Sequence, residues 1–225
     1  MKKKDPSITP REAITATAVR LFAEHGYTGT TMRDIAKAVG VLPGSLYAHI
    51  DSKETLLLEI VQDGIERFLS IEDTLKGSEE SATQRLLIAV KAHVGHVAES
   101  PARMSVVFHQ WRYLNDKNRA SAAAMRRRYA QTFMRIVESG MAAGEFSAQL
   151  DKRIAVFAIL GALNWTPEWF NPAGPLTAEE VAAKLADFAI WGLRCGSLGN
   201  MASAPPSEPT SSNQTHAAAE RKRSR

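Results

Sequence analysis

The chain has 225 residues, 44% of them hydrophobic, one cysteine and a formal net charge of +4. That length and apolar content support one large domain or two small ones with a real core, which excludes wholesale disorder. A lone Cys195 excludes an internal disulfide, and the longest apolar run, residues 154–163, falls short of the ~20 residues a membrane helix needs, so the expectation is a cytoplasmic protein with no membrane partner.

Residues 1–8, "MKKKDPSI", open like the basic start of an export signal, but Asp5, Pro6 and Ser7 stand where an apolar run would have to follow. They read as a basic flexible arm. "TPRE" then places Thr9 at an N-cap, Pro10 at N1 and Glu12 at N3, a capping box with proline where its missing N–H costs nothing. Ile14, Ala18, Leu21 and Phe22 recur at helical spacing until "HGYTG" ends the run. Thr31 and Asp34 form a second box, opening a helix that turns Ile35, Ala36 and Val39 inward and stops at Gly40. A very short third helix spans about 42–49, and Asp51 with Glu54 begins a fourth that carries Leu57, Ile60, Val61 and Phe68. The polar stretch 74–82 marks a joint. Further helices are expected at about 83–99, 102–113, 117–143, 152–169 and 177–195, the last opened by Thr177 and Glu180 with Leu176 and Val181 in the staple positions. Residues 197–225 are rich in Ser, Pro and Ala and read as a disordered basic tail. No alternating strand pattern is present, so the fold class is all-α.

Charge placement narrows the function. Eight cations stand against five acids through Lys53, four against one in the last six residues, and residues 54–219 sum to −2. Basicity at the two ends points to a polyanion met by part of the molecule; a solvated basic tail has the same composition. Helices two and three are separated by Gly40 and Val41, with the glycine placed for a left-handed turn. Two short helices across such a turn make a helix-turn-helix, whose second helix enters the DNA major groove, although capped helices in an ordinary bundle share the local pattern. Val41, Leu46 and Ile50 can pack on the first helix, leaving Pro43, Ser45, Tyr47, Ala48 and His49 outside, and Gly44 lets the backbone approach a phosphate. Lys53 opposes the dipole of the fourth helix, which a phosphate bound at that helix start would explain.

Residues 20–57, "RLFAEHGYTGTTMRDIAKAVGVLPGSLYAHIDSKETLL", resemble the N-terminal domain of the TetR/AcrR family of bacterial transcriptional regulators, through "LFAEHGYTGTT", "DIAKAVGV", "GSLYAHI" and "SKETLL". The resemblance implies a homodimer that binds double-stranded DNA. Each subunit would have a three-helix helix-turn-helix DNA-binding domain over 9–51, a connecting helix and joint over 52–81, and a helical ligand-binding and dimerisation domain over 82–196. By the same resemblance Thr31 caps the second helix and touches phosphate, and Arg33 lies near the DNA backbone. Ser45, Tyr47 and His49 face the groove and its walls, Lys53 meets a phosphate, and Pro43 and Gly44 complete the expected DNA-contact set. Relatives often carry Ser-Lys or Ala-Lys where this chain has Leu42-Pro43. The lysine contact is therefore absent, and an apolar contact with a thymine methyl becomes available at Pro43.

All four tryptophans fall in residues 83–196: Trp111, Trp165, Trp169 and Trp191. Such a cluster is plain core in many helical domains; His109, Arg112 and Asn164 set among the aromatics also fit a small-molecule site. "GALNWTPEWFNPAGPLTAEEVAAKLADFAIWGL" (161–193) and "MRRRYAQTFMRIVESGMAAGEF" (125–146) resemble helices of the TetR subgroup that controls fatty-acid and steroid-ring breakdown. That implies an acyl-CoA-like effector, with Phe108, Trp111, Arg112, Phe133, Asn164, Trp165 and Trp169 around it. Arg126, Arg127 and Arg128 are candidates for its phosphates, although ~100° between successive helical residues keeps all three from facing one ligand. The last two helices are expected to pair with their copies through Ile159, Leu163, Leu185, Phe188 and Ala189.

Cys195 reads as inert packing. His93 and His96 stand about one turn apart with no carboxylate or cysteine motif beside them, so no metal is expected. Phosphate-loop, dinucleotide and nucleophile-elbow motifs are absent from the sequence, so neither a cofactor nor an enzyme is expected. The expected function is a ligand-responsive DNA-binding regulator, a repressor released from its operator by a small hydrophobic effector. A transcriptional activator or a ligand-independent DNA-binding protein is the alternative.

Overall fold

Helix starts are written locally in this chain, and the computed structural model, which describes residues 9–196, follows them closely. The basic arm over 1–8 and the basic tail over 197–225 lie outside the described residues. In chain order the helices are α1 Pro10–Gly29, α2 Met32–Val39, α3 Pro43–Tyr47, α4 Lys53–Leu75, α5 Ala82–Glu99, α6 Pro101–His109, α7 Asp116–Ala142, α8 Lys152–Trp169 and α9 Ala178–Cys195, with a 3-10 turn at Trp111–Tyr113 between α6 and α7. No strand occurs among the described residues, and the fold is all-α.

The three expected capping boxes form. The Glu12 N–H donates to Thr9 Oγ1 at 3.2 Å while Thr9 N–H donates to Glu12 Oε2 at 2.8 Å. Thr31–Asp34 and Thr177–Glu180 repeat the arrangement. Three expectations shift. Helix α1 breaks at Gly26 (φ 75°, ψ 159°) and makes one more turn to Gly29. The helix expected through 113 stops at His109 and gives way to the 3-10 turn. Helix α4 is capped by Ser52, whose Oγ accepts from the Thr55 N–H at 3.0 Å, and not by Asp51. Glu54 cannot close a box there, because its carboxylate accepts from the Asn115 N–H and Asn118 Nδ2, each at 2.9 Å.

Helices α1–α3 and the turn after them bury Ile14, Phe22, Ile35, Leu46 and Ile50 against Leu56 and Leu57 at the start of α4. Further along, α4 buries Ile60, Val61, Ile65, Phe68 and Ile71 against the C-terminal helices, so one continuous core joins both halves. Packing is most extensive between α5 and α9 and between α4 and α7. At Gly64 a Cβ would lie 2.4 Å from Val107 Cγ2, so α4 and α6 touch where no side chain fits. Among the described residues no helix is long and apolar enough to cross a membrane.

Candidate nucleic-acid interface and effector cavity

Gly40 ends α2 in the left-handed region (φ 82°, ψ 34°), and its N–H and that of Val41 both donate to the Ala36 carbonyl at 3.0 Å. This closes the turn that sets α3 against α2. Leu46 and Ile50, both buried, fasten α3 to the core; burying a leucine is worth about 2 kcal/mol. Arg11 holds the end of α3 as well, donating to the His49 carbonyl at 2.7 Å while pairing with Glu59 of α4. What remains outward is the candidate reading surface: Thr31, Arg33, Pro43, Gly44, Ser45, Tyr47 and His49 are all exposed. Leu42 joins them, at 76% exposure.

Lys53 is placed differently from the phosphate role. Its Nζ donates to the Tyr27 carbonyl at 2.8 Å and the Thr30 carbonyl at 2.7 Å, and it lies 4.2 Å from the Tyr27 ring centroid. Burial pushes its pKa below the usual lysine value. The cation at the head of α4 is thus answered by two carbonyls at the end of α1, with no phosphate required. Tyr27 is the centre of a larger joint. Its N–H donates to Gln110 Oε1 at 3.1 Å, and its ring stacks on Tyr113 at 5.7 Å. With Glu54 bound to Asn115 and Asn118, residues 110–118 hold the N-terminal helices at two points, Tyr27 in α1 and Glu54 at the start of α4. Sequence reasoning missed this joint, because its partners lie at least 61 residues apart and carry no motif.

A cavity of about 340 Å³ lies between α4, α6, α7 and α8. Phe68, Phe108, Tyr129, Phe157 and Leu160 make its walls largely apolar, and Arg126, Arg127 and Asn164 supply polar groups. The Arg126 guanidinium is partly buried, 5.1 Å from the Trp111 ring centroid and 6.0 Å from that of Phe108. Among the described residues no carboxylate pairs with it, and burial lowers its pKa. Arg128, by contrast, is paired with Glu72 at 3.4 Å. Behind the wall, fully buried His93 shares a 2.8 Å hydrogen bond between Nδ1 and the Tyr129 hydroxyl, and its ring stacks 4.6 Å from Phe68. Burial depresses His93 to about 3 and raises Tyr129 well above the usual tyrosine value, so both are neutral. The pair packs within the aromatic cluster of Phe68 and Phe108, and no group of three or more His, Cys, Asp or Glu placed to hold a metal occurs among the described residues.

Of the residues expected around an effector, Phe108 and Asn164 line the cavity, and Trp111 reaches it through Arg126. The other four do not. Phe133 is fully buried, edge-on to Tyr129 at 5.4 Å. Arg112 is exposed, its Nε donating to the His109 carbonyl at 2.8 Å. Trp165 and Trp169 are 59% and 49% exposed on the outer side of α8. The helical repeat explains the split: residues 157, 160, 161 and 164 form the stripe facing the cavity, and residue 165 lies ~100° further round. Phe68, Tyr129 and Phe157 were not anticipated, since only the packing of four helices brings them together.

The five expected dimer residues are gathered in one place. Ile159, Leu163, Leu185, Phe188 and Ala189 all line an apolar groove between α8 and α9, also of about 340 Å³. Ile159 and Leu163 form its buried floor, at 8% and 1% exposure, while Phe188 stands 75% exposed. Ile154, Trp165, Trp169 and Trp191 are exposed on the same two helices. An apolar face of this extent marks an association surface.

Two family profiles match the chain. One is described as "Bacterial regulatory proteins, tetR family" and spans residues 14–60; the other is described as "Tetracyclin repressor-like, C-terminal domain" and spans residues 79–193. The HTH-type transcriptional repressor KstR2 of Rhodococcus jostii (strain RHA1) is 31% identical over 186 residues, covering 78% of this chain and 87% of that protein. The structure of the ketosteroid transcriptional regulator KstR2 of Mycobacterium tuberculosis aligns with 83% of this chain and 95% of its own, at 25% identity and a TM-score of 0.73. The crystal structure of AibR in complex with isovaleryl coenzyme A and operator DNA aligns with 82% of this chain and 97% of its own, at 28% identity and a TM-score of 0.68.

Proposed function

Given that the chain belongs to the tetR family of bacterial regulatory proteins, we propose that it is a dimeric operator-binding repressor released by an anionic, largely apolar effector of the acyl coenzyme A class. The observation that carries the effector class is Arg126. A partly buried guanidinium with no carboxylate partner, in a cavity otherwise walled by Phe68, Phe108, Phe157 and Leu160, is costly to keep empty-handed and favours an anion beside an apolar body. AibR, of similar fold, binds isovaleryl coenzyme A and operator DNA together in its crystal structure.

In this reading residues 9–51 are the DNA reader, 52–81 the connector, and 82–196 the effector and dimer half. A second copy covers the α8–α9 face, which aligns two α3 helices with successive major-groove turns ~34–36 Å apart. A DNA reader works where the chromosome is, so the protein acts in the cytoplasm. The segment from Phe108 to Tyr113 carries the response. Phe108 walls the cavity and Trp111 stacks on Arg126, while Gln110 and Tyr113 hold Tyr27. An effector that fits better when this segment is displaced shifts the population away from the DNA-binding spacing.

A thermal-shift and gel-shift series with short and bulky acyl coenzyme A thioesters, free coenzyme A and uncharged alcohols tests the assignment. A true effector at 100 times its Kd stabilises the fold by about 2.7 kcal/mol and releases bound DNA. Arg126→Met should weaken the thioester response at least tenfold without changing DNA affinity in the absence of effector. Equal stabilisation by uncharged alcohols, or an unchanged response of the variant, refutes the anionic effector. Tighter DNA binding on adding the thioester would make the protein an activator.

A further inference from the structure

We propose that Leu42 is a base-reading residue whose side chain packs on the C5 methyl of a thymine, so that each operator half-site carries an A·T pair beneath the start of α3. The inference rests on α3 being the recognition helix and goes beyond it by naming the base and the group recognised. Leu42 is the most exposed large apolar side chain among the described residues, at 76%. It is also the N-cap of α3, and it makes no capping hydrogen bond there. Every other α-helix among the described residues starts from Ser, Thr, Asn or Asp. Leucine at this position forgoes a cap and presents apolar surface to water. Neither local folding nor core packing asks for it, and a residue that breaks both rules is expected where the surface has a job.

The surroundings say which job. The N-terminal residues of a recognition helix are the ones that reach base edges. Residues 41–50 contain no Lys, Arg, Asp or Glu, so the charged pairings to guanine and cytosine are unavailable from this segment. The thymine methyl is the apolar feature on the major-groove edges, and Leu42, beside the smaller Pro43, is the large exposed aliphatic side chain at the start of α3. Pro43 at N1 restricts the preceding residue to extended backbone, and Leu42 sits there at φ −68°, ψ 145°. The side chain is therefore projected from a stiff backbone, which lowers the entropy lost on contact.

The experiment is a methyl deletion on the DNA side crossed with a side-chain truncation on the protein side. Preferred duplexes are first selected from a random library with the full-length protein. Each thymine of the half-site is then replaced by uracil, which removes the methyl and leaves the hydrogen-bonding edge unchanged. One replacement should weaken binding about fourfold per half-site, the worth of one buried methyl group. Leu42→Ala should lose about the same on the thymine duplex and no longer distinguish it from the uracil duplex; Leu42→Met should still distinguish them. Because Leu42 is exposed, the thermal stability of the alanine variant should match the parent. Binding that is indifferent to uracil at every position, or a Leu42→Ala loss equal on both duplexes, overturns the inference while leaving the DNA reader standing. Failure to enrich any sequence removes the reader and the inference with it.

Discussion

Replacing His93 by Asn should remove about 2 kcal/mol of pH dependence from the stability of this protein between pH 7 and pH 5. In the fold His93 is fully buried against Phe68, Phe108 and Tyr129, and burial holds its pKa at about 3, against 6.5 for the unperturbed group. Between those two values the unfolded chain binds a proton that the folded chain does not. The unfolded state then carries more protons, stability rises with pH, and acidification destabilises. The contribution is fully present above the unfolded value and is lost as pH falls through 6.5 toward 3, with a slope approaching ~1.36 kcal/mol per pH unit. From pH 7 to pH 5 that amounts to about 2 kcal/mol, and the figure does not depend on where below pH 4 the folded group titrates. Urea unfolding followed by tryptophan fluorescence, at one protein concentration and at pH 7, 6 and 5, measures it. His96 is also depressed, first by burial, so the parent should lose more than His93 alone provides. The readout is the difference in pH dependence between parent and variant, which cancels His96 and the lower absolute stability expected of a smaller side chain. Parallel pH profiles would refute the neutral buried imidazole.

Two further outcomes follow from the geometry. Lys53→Met keeps the aliphatic stem beside Tyr27 and deletes two charge-assisted hydrogen bonds to the Tyr27 and Thr30 carbonyls, so unfolding free energy should fall by about 2 kcal/mol. The slope of log DNA affinity against log salt should stay unchanged; a slope smaller by about one would restore the phosphate contact. Phe188→Asp places a charge where the ring is 75% exposed on the α8–α9 face. Light scattering should then report a folded monomer with far weaker operator binding, and a dimer mass equal to the parent's would refute the assignment of that face.

The features legible in the sequence are those whose partners are close along the chain. Thr9 with Glu12, Thr31 with Asp34 and Thr177 with Glu180 are each three residues apart, and their boxes stand as read. The exposed residues of α3 were legible for the same reason, because Leu46 and Ile50 must turn inward and their neighbours must then face out. Lys53 marks the limit: its misfit with the helix dipole is visible in the sequence, but the two carbonyls its ammonium meets lie 23 and 26 residues back, beyond the reach of local spacing. Helix α8 marks another. Its sequence contains two apolar stripes, and periodicity separates them without saying which meets the cavity and which meets solvent.

What the sequence determined by itself is therefore the helical class, most helix starts and the outward face of α3, all set by interactions within a few residues. Only the tertiary structure decided that Arg126 rather than Trp165 or Trp169 belongs to the cavity, that His93 is a neutral strut behind it, and that Tyr27 joins the reader to residues 110–113. Those contacts depend on how separate helices pack, and no spacing within a single helix encodes that choice.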